Sequence, residues 1–307
     1  MSNNSNSPRI TRRTFLEASG AAAMASPLSA FAASSQAAKP SSLKIEKNVV
    51  IGKGGQTDLH CDIYNPPSGT GKRMAIIHLH GGGFARGNKE ALAEQVAPIT
   101  ALGYVSIATQ YRLTDGAKWP AQIEDVKTAI RWARVNAGRL GIDPKRIAIA
   151  GHSAGGHLAL FAAGTANRAE FEGSGGNPKA GTELAACLAF YPAIDVHPYG
   201  LLAPGSSEAA FRAVTPTTYM DKAFAPTIIF HGLADVTVAP ESSQQVLKLL
   251  RDAGVPSELH EFAGVPHEFD QHPEFAESCA QLTTLFLDRY VLNPRTYPPF
   301  TPGGARR

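Results

Sequence analysis

The chain has 307 residues, of which 43% are hydrophobic and 18% are charged, and its net charge is +3. This composition allows a large hydrophobic core, most simply that of one α/β domain. Residues 1–32 hold three arginines and one glutamate, so residues 33–307 carry a net charge of only +1. A chain so close to neutral offers no electrostatic case for binding nucleic acid or an anionic membrane surface.

The first 32 residues have the pattern of an export signal. Thr11-Arg-Arg-Thr-Phe-Leu16 resembles the twin-arginine signal, although Thr stands in the usual place of Ser and Glu17 in that of Lys. A short apolar stretch follows, and Ala30-Phe-Ala32 offers small residues for cleavage. The stretch is too short to be a permanent membrane anchor. We therefore expect export by the twin-arginine translocase to the periplasm or the medium; the alternative is a disordered tail with a chance arginine pair.

Predicted strands and helices alternate along most of the remaining chain. Strands are predicted at 43–51, 58–64, 74–80, 104–110, 147–150, 184–190, 227–231 and 258–262. Helices are predicted at 89–101, 121–140, 156–163, 242–253 and 274–292. The first two strands are expected to form a hairpin around a turn at 52–55. The alternation from residue 74 onward indicates a mainly parallel sheet with helices on both faces, in which ligand sites form at the carboxyl ends of strands.

Other segments do not follow this alternation. Residues 33–44 are a polar lead-in, 167–182 a glycine-rich surface loop, and 293–307 a proline-rich tail that cannot be helical. Residues 192–225 are long enough to form a small lid over a pocket. Its apolar side chains, which we expect to line an acyl pocket, include Tyr199, Leu201, Leu202, Phe211 and Tyr219.

The cysteines and glycines do not indicate a cofactor or a metal. Cys61, Cys187 and Cys279 have neither metal-ligand nor C-x-x-C spacing, and the pattern leaves open whether any two of them form a disulfide. The sequence contains no G-x-G-x-x-G dinucleotide motif, P-loop or H-E-x-x-H. We therefore expect no cofactor and no metal.

Ser153 is the predicted nucleophile. It lies in Gly151-His-Ser-Ala-Gly155, between a buried strand and a helix, and G-x-S-x-G at such a junction is the nucleophile elbow. The glycines are needed because a Cβ beside this sharp turn would collide with the backbone. The turn exposes the serine Oγ and directs the backbone N–H of Ala154 toward the same place. The alternative is a tight structural turn.

A serine nucleophile also requires an oxyanion hole, which the glycine run after the predicted strand 74–80 can provide. The backbone N–H groups of Gly82 and Gly83, without side chains in the way, can approach an oxyanion and join that of Ala154. His80 is expected to brace this loop rather than act as the base. The alternative is a flexible glycine turn.

The base and the acid are predicted on loops that follow the last two strands. His267 follows the strand at 258–262, where an imidazole can reach the serine, and Asp235 follows the strand at 227–231. The alternative is that Asp235 is a turn residue that caps the next helix. His78 is expected to be a core residue, and His152 and His157 flank the nucleophile but point elsewhere.

These motifs together resemble the α/β-hydrolase superfamily, and more narrowly its hormone-sensitive-lipase-like and feruloyl/acetyl-xylan-esterase-like carboxylesterases. The resemblance covers about residues 45–292 and rests on His80-Gly-Gly-Gly-Phe84, Gly151-His-Ser-Ala-Gly-Gly156, His231-Gly-Leu-Ala-Asp235, His267, Tyr111-Arg-Leu113, Trp119-Pro-Ala121 and Ile123–Trp132. It implies the α/β-hydrolase fold, a mainly parallel eight-stranded sheet with helices on both faces. It also implies the triad Ser153, Asp235 and His267, in the order of that superfamily.

Two departures favour the feruloyl/acetyl-xylan-esterase-like branch. The lipase branch usually has Asp where this chain has His152, and the residues before Ile45 are too few for its N-terminal cap. A small or absent cap suggests an open cleft suited to esters of bulky or polymeric alcohols.

The expected function is that of an exported serine esterase. It would hydrolyse acetyl- or feruloyl-type esters, free or linked to a polysaccharide, through an acyl-enzyme. The alternatives are an amide or peptide hydrolase with the same triad, or a non-catalytic binding protein. Such binding proteins usually lack a triad member, and here each position is filled.

Overall fold

Eight strands form one sheet in the computed structural model, which describes residues 43–298. The strands are β1 (Lys44–Gly54), β2 (Thr57–Asn65), β3 (Ala75–Leu79), β4 (Val105–Thr109), β5 (Ile147–His152), β6 (Ala186–Phe190), β7 (Thr227–Gly232) and β8 (Ser257–Phe262). All eight predicted strands are present, and their ends move by a few residues. The predicted export signal at 1–32 and most of the lead-in and tail lie outside the described residues.

The strand order β1-β2-β4-β3-β5-β6-β7-β8 determines where the site can form. The pairs β1–β2 and β2–β4 are antiparallel, and the remaining pairs are parallel. The loops after β3, β5, β7 and β8 therefore leave the sheet at one edge. The predicted hairpin is confirmed, but β1 continues through most of the predicted turn and ends at Gly54, so only residues 55 and 56 connect the two strands.

The helices are α1 (Ala93–Ala101), α2 (Ala121–Val135), α3 (Ala137–Leu140), α4 (Ala154–Gly164), α5 (Ala169–Glu172), α6 (Glu208–Val214), α7 (Glu241–Asp252) and α8 (Pro273–Leu287). The prediction of one helix over 121–140 is wrong at Asn136, whose side-chain amide donates to the carbonyl of Trp132 and competes with the helical backbone. Residues 89–92 form a 3₁₀ turn before α1, and residues 288–292 form a π turn after α8. The predicted surface loop at 167–182 contains the short helix α5.

Helices cover both faces of the sheet, as the alternation predicts. Neighbouring residues of β3 point to opposite faces. Ile77 belongs to the core formed with Leu158 of α4, whereas Ile76 belongs to the core formed with Phe286 of α8. β3, β4, β5 and β6 are buried along their whole length, which explains why they appear in the sequence as mainly apolar segments without a regular polar alternation.

The cysteines are buried free thiols, so the structure contains no bond between any of Cys61, Cys187 and Cys279. Burial raises the pKa of Cys61 to about 12. Within residues 43–298, no helix has both the length and the apolar character that crossing a bilayer requires.

Candidate active site

Ser153 occupies the sharp turn between β5 and α4. Its backbone has φ 57° and ψ −115°, a region that non-glycine residues rarely adopt. Hydrogen bonds hold the strained peptide: the Ser153 N–H donates to the carbonyl of Phe190 at 2.9 Å, and its carbonyl accepts from the N–H groups of His157 and Ala193. The elbow is therefore fixed by the end of β6 as well as by its own helix.

Close backbone contacts explain the glycines around the serine. A Cβ on Gly151 would lie 2.0 Å from the carbonyl oxygen of Gly155, and one on Gly155 would lie 2.4 Å from that of Leu79. A Cβ on Gly156 would lie 3.0 Å from the Cα of Pro192. The spacing of the motif follows from the turn's packing against β3 and against the chain after β6.

His267 lies within hydrogen-bond distance of both other predicted triad members. Its Nε2 is 3.0 Å from the Oγ of Ser153, and its Nδ1 is 2.6 Å from the Oδ2 of Asp235. Because an ionised carboxylate can only accept, Nδ1 carries the proton in this arrangement and Nε2 accepts from the serine hydroxyl. The structure thus brings together three residues that lie on the loops after β5, β7 and β8.

Asp235 is buried, and both of its carboxylate oxygens have partners. Oδ1 accepts from the N–H groups of Thr237 and Val238 at 2.8 and 2.9 Å. Oδ2 faces His267 and also lies 3.2 Å from the Nε2 of His231, whose pKa is lowered by burial. The carboxylate therefore orders its own turn and faces the imidazole, and it does not cap α7, whose N-terminus has no side-chain cap.

The glycine loop after β3 lies beside the serine. Gly82 has φ 110° and Gly83 has φ 61°, and a Cβ on Gly82 would lie 2.2 Å from the carbonyl oxygen of Arg86. His80 stacks on the ring of Tyr111 at 4.3 Å, and the Tyr111 hydroxyl donates to the His80 carbonyl at 2.9 Å. These contacts agree with the predicted bracing role of His80.

The predicted oxyanion donors remain available for a ligand. Among the hydrogen bonds of residues 43–298, none uses the backbone N–H of Gly82, Gly83 or Ala154. Gly82 and Gly83 line the cleft in front of Ser153. Ala154 is fully buried and does not line it; its N–H is at the first position of α4, where helical N–H groups have no partner within the helix.

The cleft in front of the serine has a volume of about 430 Å³. It is lined by Gly82, Gly83, Ala85, Arg86, Ser153, Tyr199, Thr237, His267 and Glu268. Among the residues of the segment 192–225 whose side chains the structure describes, Tyr199 alone lines this cleft. The expectation that Leu201, Leu202, Phe211 and Tyr219 line an acyl pocket is wrong, because Leu201 is fully buried in the main core and the other three pack against that core.

The other histidines near the serine are buried and do not contact its hydroxyl. Burial lowers the pKa of His78 to about 3 and that of His157 to about 4, and the Nδ1 of His157 lies 2.9 Å from the carbonyl of Ala193. His152 instead faces Asp270, at 2.7 Å between Nδ1 and Oδ2. Sequence reasoning missed Asp270, which lies three residues after His267 and has no local motif around it.

In the part of the chain that the structure describes, no group of three or more His, Cys, Asp or Glu residues is arranged to hold a metal ion.

Residues 61–250, more than half of the chain, match the BD-FAE family. The chain belongs to the BD-FAE family. Several of its relatives are esterases. Esterase LipQ of Mycobacterium tuberculosis is 29% identical over 242 residues, which cover 73% of this chain and 57% of LipQ. This BD-FAE chain thus spans little more than half the length of the first curated relatives that it matches.

Solved structures similar to this BD-FAE chain share its fold. A truncated carbohydrate esterase from gut microbiota is 26% identical, with a TM-score of 0.70 over 79% of this chain and 96% of that one. Esterase 2 of Thermogutta terrifontis has been solved with butyrate bound and phosphorylated by paraoxon; each structure is 27% identical, with a TM-score of 0.70 over 83% of this chain and 96% of that one. The BD-FAE chain has the α/β-hydrolase fold that its sequence motifs predict.

Proposed function

We propose that this protein is a serine carboxylic-ester hydrolase. The observation that carries the proposal is the continuous line of contacts from Ser153 Oγ to His267 Nε2 and from His267 Nδ1 to Asp235 Oδ2, at 3.0 and 2.6 Å. These groups form a nucleophile, a base and an orienting acid in the geometry that acyl transfer requires. The esterases among its relatives support the same reaction.

The reaction begins with attack of Ser153 Oγ on the ester carbonyl carbon while His267 Nε2 takes the hydroxyl proton. The carbonyl π electrons move to oxygen, and the N–H groups of Gly82, Gly83 and Ala154 stabilise the resulting oxyanion. When the tetrahedral intermediate collapses, the C–O bond to the alcohol breaks and the imidazolium gives its proton to the leaving oxygen. Water then attacks the acyl-enzyme by the same route and releases the acid. Throughout, Asp235 keeps Nδ1 protonated and favours the imidazolium.

We propose that the substrates are esters with a short or aromatic acyl group, such as acetyl or feruloyl esters. A related esterase has been solved with butyrate bound, and another relative is described as a carbohydrate esterase. Tyr199 lies close to the glycine loop, since a Cβ on Gly83 would lie 3.2 Å from the Tyr199 ring. Each methylene that remains in water forgoes about 0.8 kcal/mol of transfer free energy, so a cleft with little covering gains little from long chains.

A panel of p-nitrophenyl esters of increasing chain length, assayed beside acetylated and feruloylated sugars and matched p-nitroanilides, tests the proposal. We expect kcat/KM to be highest at acyl chains of about two to four carbons and to fall by about eight to ten. Faster cleavage of the anilides would favour the alternative, an amidase or peptidase with the same triad. No turnover of any ester, with the protein folded, would favour a binding protein and contradict the proposed function.

We further propose that the protein is exported by the twin-arginine route, to the periplasm or the medium. The support is the Arg12-Arg13 pair with its apolar stretch and small residues, which lie outside the described residues. Replacing both arginines by lysine should leave an unprocessed, active precursor in the cytoplasm. Mature protein that begins near Ala33 and still reaches the periplasm in that variant would contradict the assignment.

A further inference from the structure

Another buried carboxylate–histidine pair lies directly beside the triad. The Nδ1 of His152 is 2.7 Å from the Oδ2 of Asp270, and their side chains are 5% and 2% exposed. The distance is that of an ion pair, although the ring N–H is not well aligned with the oxygen. His152 immediately precedes the nucleophile, and Asp270 follows His267 by three residues. The reaction steps above do not use this pair.

Tyr191 connects the pair to the base. Its hydroxyl donates to the Oδ1 of Asp270 at 2.5 Å, and its ring packs edge-on against the His267 imidazole, with 4.5 Å between centroids. The Tyr191 backbone has φ 37°, and its N–H is held by the carbonyl of Phe230 at 2.7 Å. Asp270 therefore ties the loop that carries His267 to the ends of β5 and β6 through both of its oxygens.

The loop of His267 has anchors on either side of the imidazole. Before it, the carbonyl of Val265 accepts from the N–H of Ala234 at 2.9 Å. After it, Asp270 is held by His152 and Tyr191. Between these points, residues 266–268 are at least partly exposed. Releasing either anchor should give the imidazole more freedom relative to the serine.

The surroundings favour a charged Asp270. Burial acts to raise its pKa, but the neighbouring His152 ring and the hydrogen bond from the Tyr191 hydroxyl outweigh burial and lower the pKa below its ordinary value. Other elements add polar but uncharged groups: Gln95 of α1 lies 3.4 Å from the His152 ring nitrogen, burial keeps His78 of β3 neutral, and burial raises the pKa of the Cys279 thiol of α8. Phe190 stacks on the His152 ring at 4.5 Å and fixes its plane.

We propose that Asp270, His152 and Tyr191 are positioning residues that hold the His267 imidazole in reach of Ser153. The proposal rests on the proposed function, because it assigns these residues to the same triad. A displacement of about 1 Å in a reacting group can cost about 100-fold in rate, so loosening this anchor should reduce kcat.

Asp270→Asn and Tyr191→Phe test the proposal in the full-length protein. The second keeps the ring against His267 and removes only the hydroxyl, so it serves if Asp270→Asn does not fold. We expect kcat to fall about tenfold or more with KM changed much less, and the double variant to be no slower than the slower single variant, because the residues act as one unit. Glu172→Gln is the control, since Glu172 contacts the buried Lys127 and Arg131 and does not line the cleft. It should lower the unfolding temperature and leave kcat unchanged.

A second readout does not depend on turnover. The proton shared by His267 Nδ1 and Asp235 should give a downfield proton resonance in the wild-type protein, and it should exchange faster with water in Asp270→Asn and Tyr191→Phe. If both variants keep wild-type kcat and an unchanged resonance while only their unfolding temperatures fall, the pair is merely structural and the proposal is wrong. A wild-type protein that hydrolyses no ester would instead contradict the proposed function, and the resonance would still decide whether the pair positions His267.

Discussion

Asp235 and His267 meet at 2.6 Å between Oδ2 and Nδ1, although 32 residues separate them in the chain. Their loops follow β7 and β8, which pair in parallel, so both leave the sheet at the same edge. The other oxygen of Asp235 is held by two backbone N–H groups, which prevents the carboxylate from turning away. The imidazole therefore meets an acceptor whose position is set before any substrate binds.

Replacing Asp235 by Asn should reduce kcat about 10³- to 10⁴-fold, because an amide can donate to Nδ1 and stabilise the tautomer that cannot accept the serine proton. Steady-state kinetics with p-nitrophenyl butyrate measure the effect. Asp143→Asn is a suitable control, since Asp143 likewise accepts from a backbone N–H, that of Lys145, in an exposed turn. Equal kcat values for the two variants would mean that Asp235 is only a turn residue.

Gly82→Ala should reduce kcat about 10- to 1000-fold, because the oxyanion loop must move to accept a methyl group and its N–H groups lose their alignment. The added Cβ would lie 2.2 Å from the Arg86 carbonyl oxygen at φ 110°. The control is Gly69→Ala, at φ 82° with no atom within 4 Å, which adds backbone strain without a clash. Equal kcat values for Gly82→Ala and Gly69→Ala would show that Gly82 is not part of the oxyanion hole.

Tyr199→Ala should shift the preference toward longer acyl chains, because Tyr199 lines the cleft beside the glycine loop. Leu201→Ala should leave the preference unchanged and lower the free energy of unfolding by about 2–5 kcal/mol, as expected for a fully buried leucine. The ratio of kcat/KM for octanoate and butyrate esters, with urea unfolding of both variants, distinguishes these effects. An unaltered ratio in Tyr199→Ala would show that the acyl group binds elsewhere.

The fold should lose stability in acid. Burial lowers the pKa of His157 from 6.5 to about 4, so between these values the unfolded chain binds a proton that the folded chain does not. The stabilisation is complete above about pH 6.5 and is lost as the pH falls toward 4, at about 1.4 kcal/mol per pH unit. His157→Gln should therefore flatten the decline of the unfolding temperature over this range. If the unfolding temperature of His157→Gln declines as steeply as that of the wild-type protein, other groups cause the loss of stability in acid.

Local sequence was sufficient to predict the strands, from their apolar runs, and to select Ser153, Asp235 and His267, which the structure brings within hydrogen-bond distance. Contacts within the elbow and against β3 require glycine at positions 151 and 155. Asp235 and His267 lie on the loops after β7 and β8, so the parallel pairing of these two strands brings the loops to the same edge of the sheet. Alternation of strands and helices then limits the sheet to a mainly parallel arrangement.

Other features depended on packing that no local pattern contains. Asp270 meets His152 across 118 positions of sequence, and only the assembled loop and strand ends create that pair. Leu201 and Tyr199 are two residues apart in one irregular segment, and apolar character alone could not tell that one enters the core and the other lines the cleft. The break at Asn136 likewise depends on which carbonyl its side chain contacts.

The most direct test of the account is kcat for Ser153→Ala, measured with p-nitrophenyl butyrate on protein whose unfolding temperature matches that of the wild type. Because the variant keeps the oxyanion donors and lacks the nucleophile, we expect kcat to fall about 10³-fold or more. A folded Ser153→Ala protein that keeps more than about a tenth of wild-type kcat would contradict the assignment of Ser153 as the nucleophile.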